Sequence, residues 1–596
     1  MDGSITRIFD VITFQRLRYP NPAAMHFWKD QRQTSYGIEA IRDYAGRCSR
    51  WLADQDLVKG DSIYILASQA SFSWFSLDFG CQMLGVVPVI IPDYLPSEEV
   101  KYIVDSKKSS HFFYQNSTIW TNVSVYLKSL EISCIALDEA GDDCHPVLKN
   151  VLEKSPPTPD DVIAAWCKNI HPDDTAMILA TSGSTGHPKC VQLSHSNVVS
   201  NIQAVLPLTP LERHHQVVSF LPIVHIFERM VVYCYLTSGA SIHFFDSAGE
   251  AFQEIQHVRP HFFSTVPRIL ERMYEELLNR IKKFPFLRRL WLHMALETGS
   301  RYGYDIRKSP VYWIKWLFID LTVFRVWRKR IGGRVAGIIV GAAPLNPMLG
   351  RVLSAARIRV REGYGMTETS PVISFNRFEA GGNRFGSAGI PIPGIRVRIS
   401  NPDPDGIGEI EVQGPNVMQG YLDPQANAAA FTPDGWLRTG DLGHMVQRRF
   451  LEITDRKAHA FKTSSGRFVL PERISRLLET DPLISGSIII GLQRPYVTAL
   501  IYPEFTHLQW WCETNGVHWT APAYMIHNPR VTNCYSKLVE EVNAKLSRHE
   551  QIRRFTLLPF RWQEETVLSK LGKPNHRLIR EKYAKEIDAL YLKEPI

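Results

Sequence analysis

A chain of 596 residues exceeds what one hydrophobic core accommodates, so two or three domains are expected. Apolar residues at 44% and charged residues at 21% are ordinary globular proportions, which exclude a disordered or collagen-like chain. The net charge of +8 is modest but concentrated: between Leu277 and Arg334 fourteen Lys or Arg stand against three acids, and the remainder is slightly acidic.

The opening "MDGSITRIFDVITFQRLRYP" lacks a basic stretch followed by an apolar core and a small-residue cleavage site, so a cytoplasmic protein is expected. Nine cysteines with no CxxC pair and no regular spacing fit reduced, mostly buried thiols better than disulfides or a zinc site. In chain order, Ile38, Ile41, Ala45, Cys48 and Leu52 recur at helical spacing, and "GDSIYILAS" follows as a turn and strand. "AMILA" then precedes a Ser/Thr/Gly-rich stretch, "VVSFLPI" precedes "FERMVVYCYL", "HFFSTV" precedes "PRILERMYEELLNRI", and "VAGIIVGA" precedes "NPMLGRVLSAA". Short apolar runs alternating with amphipathic helices predict an α/β fold of βα units, with parallel sheets covered by helices. After about Pro391, "IRVRIS" and "GEIEVQG" with Gly/Pro/Asp turns between them predict a smaller antiparallel subdomain. A boundary is expected near "EITDRKAH". It divides the chain into a large N-terminal domain, 1–453, and a small α+β C-terminal domain, 454–596.

The basic segment 277–334 contains "VYWIKWLFIDLTVFRVW", whose apolar residues are interrupted by Lys315 and Asp320 and form too short a run to cross a bilayer. Two readings stand side by side. In one, a surface helix lies among anionic headgroups with aromatic residues inserted, giving peripheral contact with the inner face of a membrane. In the other, a buried amphipathic helix sits beside a solvated basic face. Nucleic acid is disfavoured, because no recognised binding motif accompanies the charge.

The stretch "TSGSTGHPK", Thr181 to Lys189, has the ingredients of a phosphate-holding loop. Gly183 and Gly186 let amide N–H groups converge on an anion, Thr181, Ser182, Ser184 and Thr185 add hydroxyls, and Lys189 adds a charge. It is not a Walker A loop, because Pro188 stands where the second glycine belongs and Cys190 where the metal-binding hydroxyl belongs. Alone, such a cluster reads as a turn or linker; its position at the end of a strand in an α/β sheet favours a ligand loop.

Six further stretches occur in order: "LPIVHIFER" around His225, "IIVGAAPL" from Ile338, "REGYGMTETSP" from Arg361, "GWLRTGDLG" around Asp441, "ITDRKAHAFKTSSGRFVLPE" from Ile453, and "LGKPNHR". With "TSGSTGHPK" they resemble the adenylate-forming superfamily of acyl-CoA synthetases, peptide-synthetase adenylation domains and beetle luciferases, over nearly the whole chain. "STVPRILERMYEEL" and "TDRKAHAFKTSSGRFVLPERI" look most like bacterial long-chain fatty acyl-CoA synthetases.

The resemblance implies an AMP-forming acid–thiol ligase that uses ATP, Mg²⁺ and CoA. A carboxylate attacks the α-phosphate of ATP, giving acyl-AMP and pyrophosphate, and a thiol then displaces AMP. The substrates supply the nucleophiles, so the protein aligns reactants and neutralises charge. By resemblance, the Thr181–Lys189 loop cradles the β- and γ-phosphates, and Thr185 and Glu368 hold Mg²⁺. Gly341, Ala342 and Ala343, with Glu362, Gly363, Tyr364, Gly365, Met366 and Thr367, frame adenine. Asp441 accepts the ribose hydroxyls, with Ile453 and Arg456 nearby, and His225 sits where carboxylate and acyl chain meet. Capping by Asp441 and core packing by His225 are the plainer alternatives. Lys462 and Gly466 belong to the acyl and CoA side. The C-terminal domain is expected to be mobile, hinged at Ala458, and to bring Lys573 to the reacting carboxylate; Lys570 is the competitor for that place. The chain departs from the family pattern at Cys190, Ala458, Ser465 and Pro574. The alternatives are a fatty acyl-AMP ligase that loads an acyl carrier protein and a nucleotide-binding scaffold without turnover.

Overall fold

The structure, a computed structural model, describes residues 4–139, 145–181, 188–281, 285–303, 309–457, 460–462, 468–559 and 576–592. Most of the N-terminal part is built on two sheets that are mainly parallel. The first, of nine strands, has a centre of six parallel strands in the order Val360–Gly365, Gly337–Val340, Phe262–Thr265, Gln216–Ser219, Ser241–Phe244 and Met25–Lys29. Antiparallel strands close both edges. The second, of seven strands, has Thr175–Thr181, Val87–Ile91, Ser62–Leu66, His111–Tyr114 and Ser133–Ala136 in parallel.

Helices Phe72–Leu84 and Ile226–Ser238 are buried along nearly their whole length and share one core with residues of both sheets, including Ile63, Ile65, Val217 and Ile242. A helix between two sheets has apolar residues all round, as "FSWFSLDFGCQML" and "IFERMVVYCYL" do. Their charged residues are matched to each other. Arg229 of the second helix pairs with Asp78 of the first, and the Tyr233 hydroxyl donates to Asp78 at 2.6 Å. Glu228 accepts from the hydroxyls of Ser219 (2.5 Å) and Ser264 (2.6 Å), which ties the start of the helix to two strands.

After "AMILA" the chain enters the Ser/Thr/Gly-rich stretch and returns as a strand. Strand Thr175–Thr181 is followed by Lys189–Ser194, which pairs with it antiparallel, and only then by helix His195–Val205. The Ser/Thr/Gly stretch therefore connects two strands that pair as a hairpin.

The expected antiparallel subdomain is a four-stranded sheet of Arg396–Ser400, Gly408–Gln413, Leu437–Val446 and Phe450–Arg456. Its last strand carries across residues 453 and 454. Beyond it, Ile484–Ile490, Val497–Pro503 and Ile552–Leu557 form a three-stranded sheet packed with helices Pro471–Leu478, Phe505–Thr514 and Pro529–Asn543 around a separate core. This C-terminal part touches the rest at several places. His293 stacks on Trp510 with ring centroids 4.1 Å apart, Arg289 pairs with Glu513 at 3.1 Å, and Asn346 donates to the Glu479 carbonyl at 3.0 Å.

Candidate active site

One cavity of about 2560 Å³ opens between the two large sheets, the four-stranded sheet and the C-terminal part. It is lined by Thr181, Lys189, His225, Gly341, Ala342, Ala343, Glu362, Gly363, Tyr364, Gly365, Met366, Thr367, Glu368, Asp441, Ile453 and Arg456. Residues that are more than two hundred positions apart thus share a single space. Lys462 lies on the short strand Phe461–Lys462, and its side chain lies outside the described residues. So do Ser182, Gly183, Ser184, Thr185, Gly186, Ala458, Gly466, Lys570 and Lys573.

Lys189 and Thr181 face each other at the loop end of the hairpin, where the Thr181 hydroxyl donates to the Lys189 carbonyl at 3.1 Å. The Lys189 ammonium lies 5.1 Å from the centroid of Tyr421, and the Tyr421 hydroxyl donates to Glu368 Oε1 at 2.5 Å. Tyr421 thus links the cation to the buried carboxylate. No sequence feature singled it out, because "NVMQGYLDP" reads as a turn; the tyrosine reaches the site through a two-residue strand pairing Gly420 with Gln192 and Tyr421 with Val191. Cys190, the next residue after Lys189, is buried, and burial pushes its thiol up to about 11, so it remains neutral.

Asp441 and Arg456 are register partners on adjacent strands, and Arg456 Nε stands 3.3 Å from Asp441 Oδ1. The Tyr364 hydroxyl donates to Asp441 Oδ2 at 2.7 Å. Asp441 therefore sits within a strand and lines the cavity, which is not a helix-capping position. Glu362 plays a different part from its neighbours: its Oε1 accepts from the Leu345 amide at 2.9 Å, holding the turn after Gly341–Ala343 against strand Val360–Gly365. Burial raises its carboxyl to about 7. The turn itself needs Ala342 in the left-handed region, φ 69°. At Gly365 an added Cβ would collide with the Pro371 carbonyl, so that position accepts no side chain.

His225 precedes helix Ile226–Ser238 and is open to the cavity, so it is not a packed core residue. Protein surrounds its other sides, with the Tyr94 ring 6.0 Å away, and this desolvation lowers its pKa. Past His225 the wall turns apolar, with Phe227, Met230, Val231, Cys234 and Leu349. The site therefore joins a polar compartment rich in hydroxyls, carboxylates and cations to an apolar one, with an imidazole between them.

Glu368 is the one described member of the expected metal pair. Its carboxylate lines the cavity and has hard oxygen donors, as Mg²⁺ requires, and that ion takes few protein ligands when phosphates and waters complete its shell. Among the described residues no cluster of three or more His, Cys, Asp or Glu could hold a metal ion.

These features define an α/β enzyme that holds a nucleotide beside an apolar substrate pocket. The chain belongs to the AMP-binding enzyme family: that family matches residues 14–422, and the AMP-binding enzyme C-terminal domain matches residues 461–595. Among relatives, the Mycobacterium bovis protein "Long-chain-fatty-acid--CoA ligase FadD15" is 29% identical over 549 residues, covering 90% of this chain and 88% of that protein. The human "Long-chain-fatty-acid--CoA ligase 1" is 28% identical, covering 87% of this chain and 76% of that protein. The fold is shared with ATP-bound MatB from Rhodopseudomonas palustris, TM-score 0.71 and 20% identity over 97% of this chain and 99% of that one.

Proposed function

We propose that the protein is an ATP-dependent, AMP-forming ligase joining a long-chain fatty acid to CoA. The observation that carries this reading is the single cavity in which the polar compartment around Asp441, Glu368 and Lys189 meets the apolar one at His225. ATP would lie with adenine against the backbone of Gly341–Ala343 and Gly363–Thr367 and with its ribose hydroxyls on Asp441. Glu368 and Thr185 would hold Mg²⁺, which neutralises phosphate charge when bound. Lys189 steadies the leaving pyrophosphate. His225, kept neutral by its surroundings, orients the fatty carboxylate without pairing to it as a cation.

The domain division at 453/454, the hinge at Ala458 and the place of Lys462 and Gly466 on the CoA side belong to the same proposal. Lys573 is assigned the charge that bridges carboxylate and α-phosphate. Removing one preorganised donor of this kind costs about 10²–10³ in rate. Lys573→Ala should therefore lose acyl-AMP formation and keep thioester formation from supplied acyl-AMP. That phenotype in Lys570→Ala alone would move the assignment. The reaction itself is tested by following AMP and pyrophosphate with ATP, Mg²⁺ and fatty acids of graded length, without acceptor, with CoA, and with a holo-carrier protein. Acid-dependent AMP release that CoA accelerates is expected. No release under any condition sinks the ligase reading, and acceleration by the carrier alone changes the acceptor.

We place the enzyme in the cytoplasm with a peripheral membrane contact. Eight described cysteines are free, which supports a reducing setting.

A further inference from the structure

Residues Pro310–Ile319, Asp320–Phe324 and Arg325–Arg330 form one uninterrupted helical run. Its inner side is ordinary core: Ile319, Val323 and Phe324 are buried in a cluster that includes Leu345 and Leu349, which also line the active-site cavity. Its outer side is unusual. Val311 is 73% exposed, Ile314 71%, Phe318 58% and Leu321 58%, and they recur at intervals of three, four and three residues along one face. Trp313 and Leu317 flank that row and are about half exposed. The next positions in the same progression are Arg325 and Lys329, and Arg330 stands beside them. All three are exposed, and none has an acidic partner among the described residues. Among the described residues no helix is long and apolar enough to span a bilayer.

We infer that this face is a membrane-docking surface, with Ile314, Phe318 and Leu321 inserted at the acyl boundary of an anionic bilayer and Arg325, Lys329 and Arg330 on lipid phosphates. This deepens the peripheral contact proposed above and is independent of the ligase reading. Charge selects this occupant over a second copy of the chain. Pairing two such helices in parallel sets cations against cations. Pairing them antiparallel sets the cations against the partner's helix N-terminus, which carries partial positive charge. The described acids of the segment offer no relief. Asp320 is buried with Arg328 (2.5 Å) and Arg357 (3.3 Å), and Glu297 is held by Arg301 (2.9 Å) and Lys315 (3.9 Å). A bilayer containing anionic lipid supplies both an apolar interior and negative charge in one plane, the combination that interfacial helices use. Contact there would set a helix that shares a core with the cavity-lining Leu345 and Leu349 against the phase in which a long-chain acid dissolves.

The test is co-sedimentation of the full chain with vesicles of phosphatidylcholine alone or mixed equally with phosphatidylglycerol. Light scattering gives the oligomeric state, and ligase assays with a short soluble acid check folding. The wild type should sediment with the anionic vesicles only. Arg325→Gln/Lys329→Gln/Arg330→Gln should weaken binding about a hundredfold, at roughly fivefold per cation. Ile314→Ser/Phe318→Ser/Leu321→Ser keeps every charge and should weaken it tenfold or more, with thermal unfolding and short-acid turnover unchanged; the single Ile314→Ser gives the same direction if the triple is unstable. Three results overturn the inference. They are a wild type that ignores anionic vesicles, serine variants that bind as the wild type does, and a wild-type dimer that the serine variants turn into monomer. Loss of acid-dependent AMP release would sink the ligase reading and leave the vesicle result standing.

Discussion

Helix Ile226–Ser238 and the helical run Pro310–Arg330 are both rich in apolar and aromatic residues, and both are broken by charges. Their surroundings are opposite. In the first, Glu228 and Arg229 are fully buried, and so is every apolar residue but Phe227. In the second, the cations reach solvent and a row of apolar side chains reaches it too. Apolar content thus says little about burial. The first helix is held because each buried charge has a partner built into a neighbouring element, Asp78 for Arg229 and two serine hydroxyls for Glu228.

That contrast can be broken most sharply at Arg229. Arg229→Met leaves Asp78 in the interior without its counter-charge, so stability should fall by about 3–5 kcal/mol in urea unfolding. Asp78→Leu added to it should restore a substantial part, because removing both charges removes the uncompensated one. Full loss in the double variant would mean that the pair serves packing alone.

Leu236 on the same helix is completely buried, and Leu236→Ala should cost about 3 kcal/mol through lost apolar contact and the cavity left behind. Glu228 gives a pH-dependent version of the same contrast. Burial outweighs the two serine donors and raises its carboxyl to about 7. A folded-state value above the unfolded one means that the native state holds the proton more tightly, so this stability is present below about pH 4.5 and is lost as pH rises through 7. The wild type should lose roughly 2–3 kcal/mol from this group between pH 5 and 8. Glu228→Gln, which cannot ionise, should lack that slope, and equal slopes in the two proteins would contradict the assignment. The smallest effect belongs to the exposed helix. Leu317 is 51% exposed, and Leu317→Ala should change stability by less than about 0.5 kcal/mol. A loss as large as that of Leu236→Ala would mean that the outer face is covered in solution.

Much of the site was legible in the residues. Asp441, Glu368 and His225 were reached through motifs that resemble a known family, and Lys189 through its glycine- and hydroxyl-rich loop; all four line one cavity. Glu362 was legible as a site residue but not in its action, since its carboxylate holds the Leu345 amide across the turn. Tyr421 was not legible at all. Its position between Lys189 and Glu368 depends on a two-residue strand pairing with a segment 230 residues earlier, and so short a strand leaves no periodicity to read.

The sequence by itself determined the alternation of strands and helices, the family and the chemical types gathered for the reaction. Only the tertiary structure decided that the Thr181–Lys189 stretch closes a hairpin, that Tyr421 completes the cation and carboxylate pair, and that the 310–330 helix turns an apolar face outward. The reason is the same in each case. Periodicity fixes which side chains share a face, while burial and hydrogen bonding depend on what distant parts of the chain bring to that face.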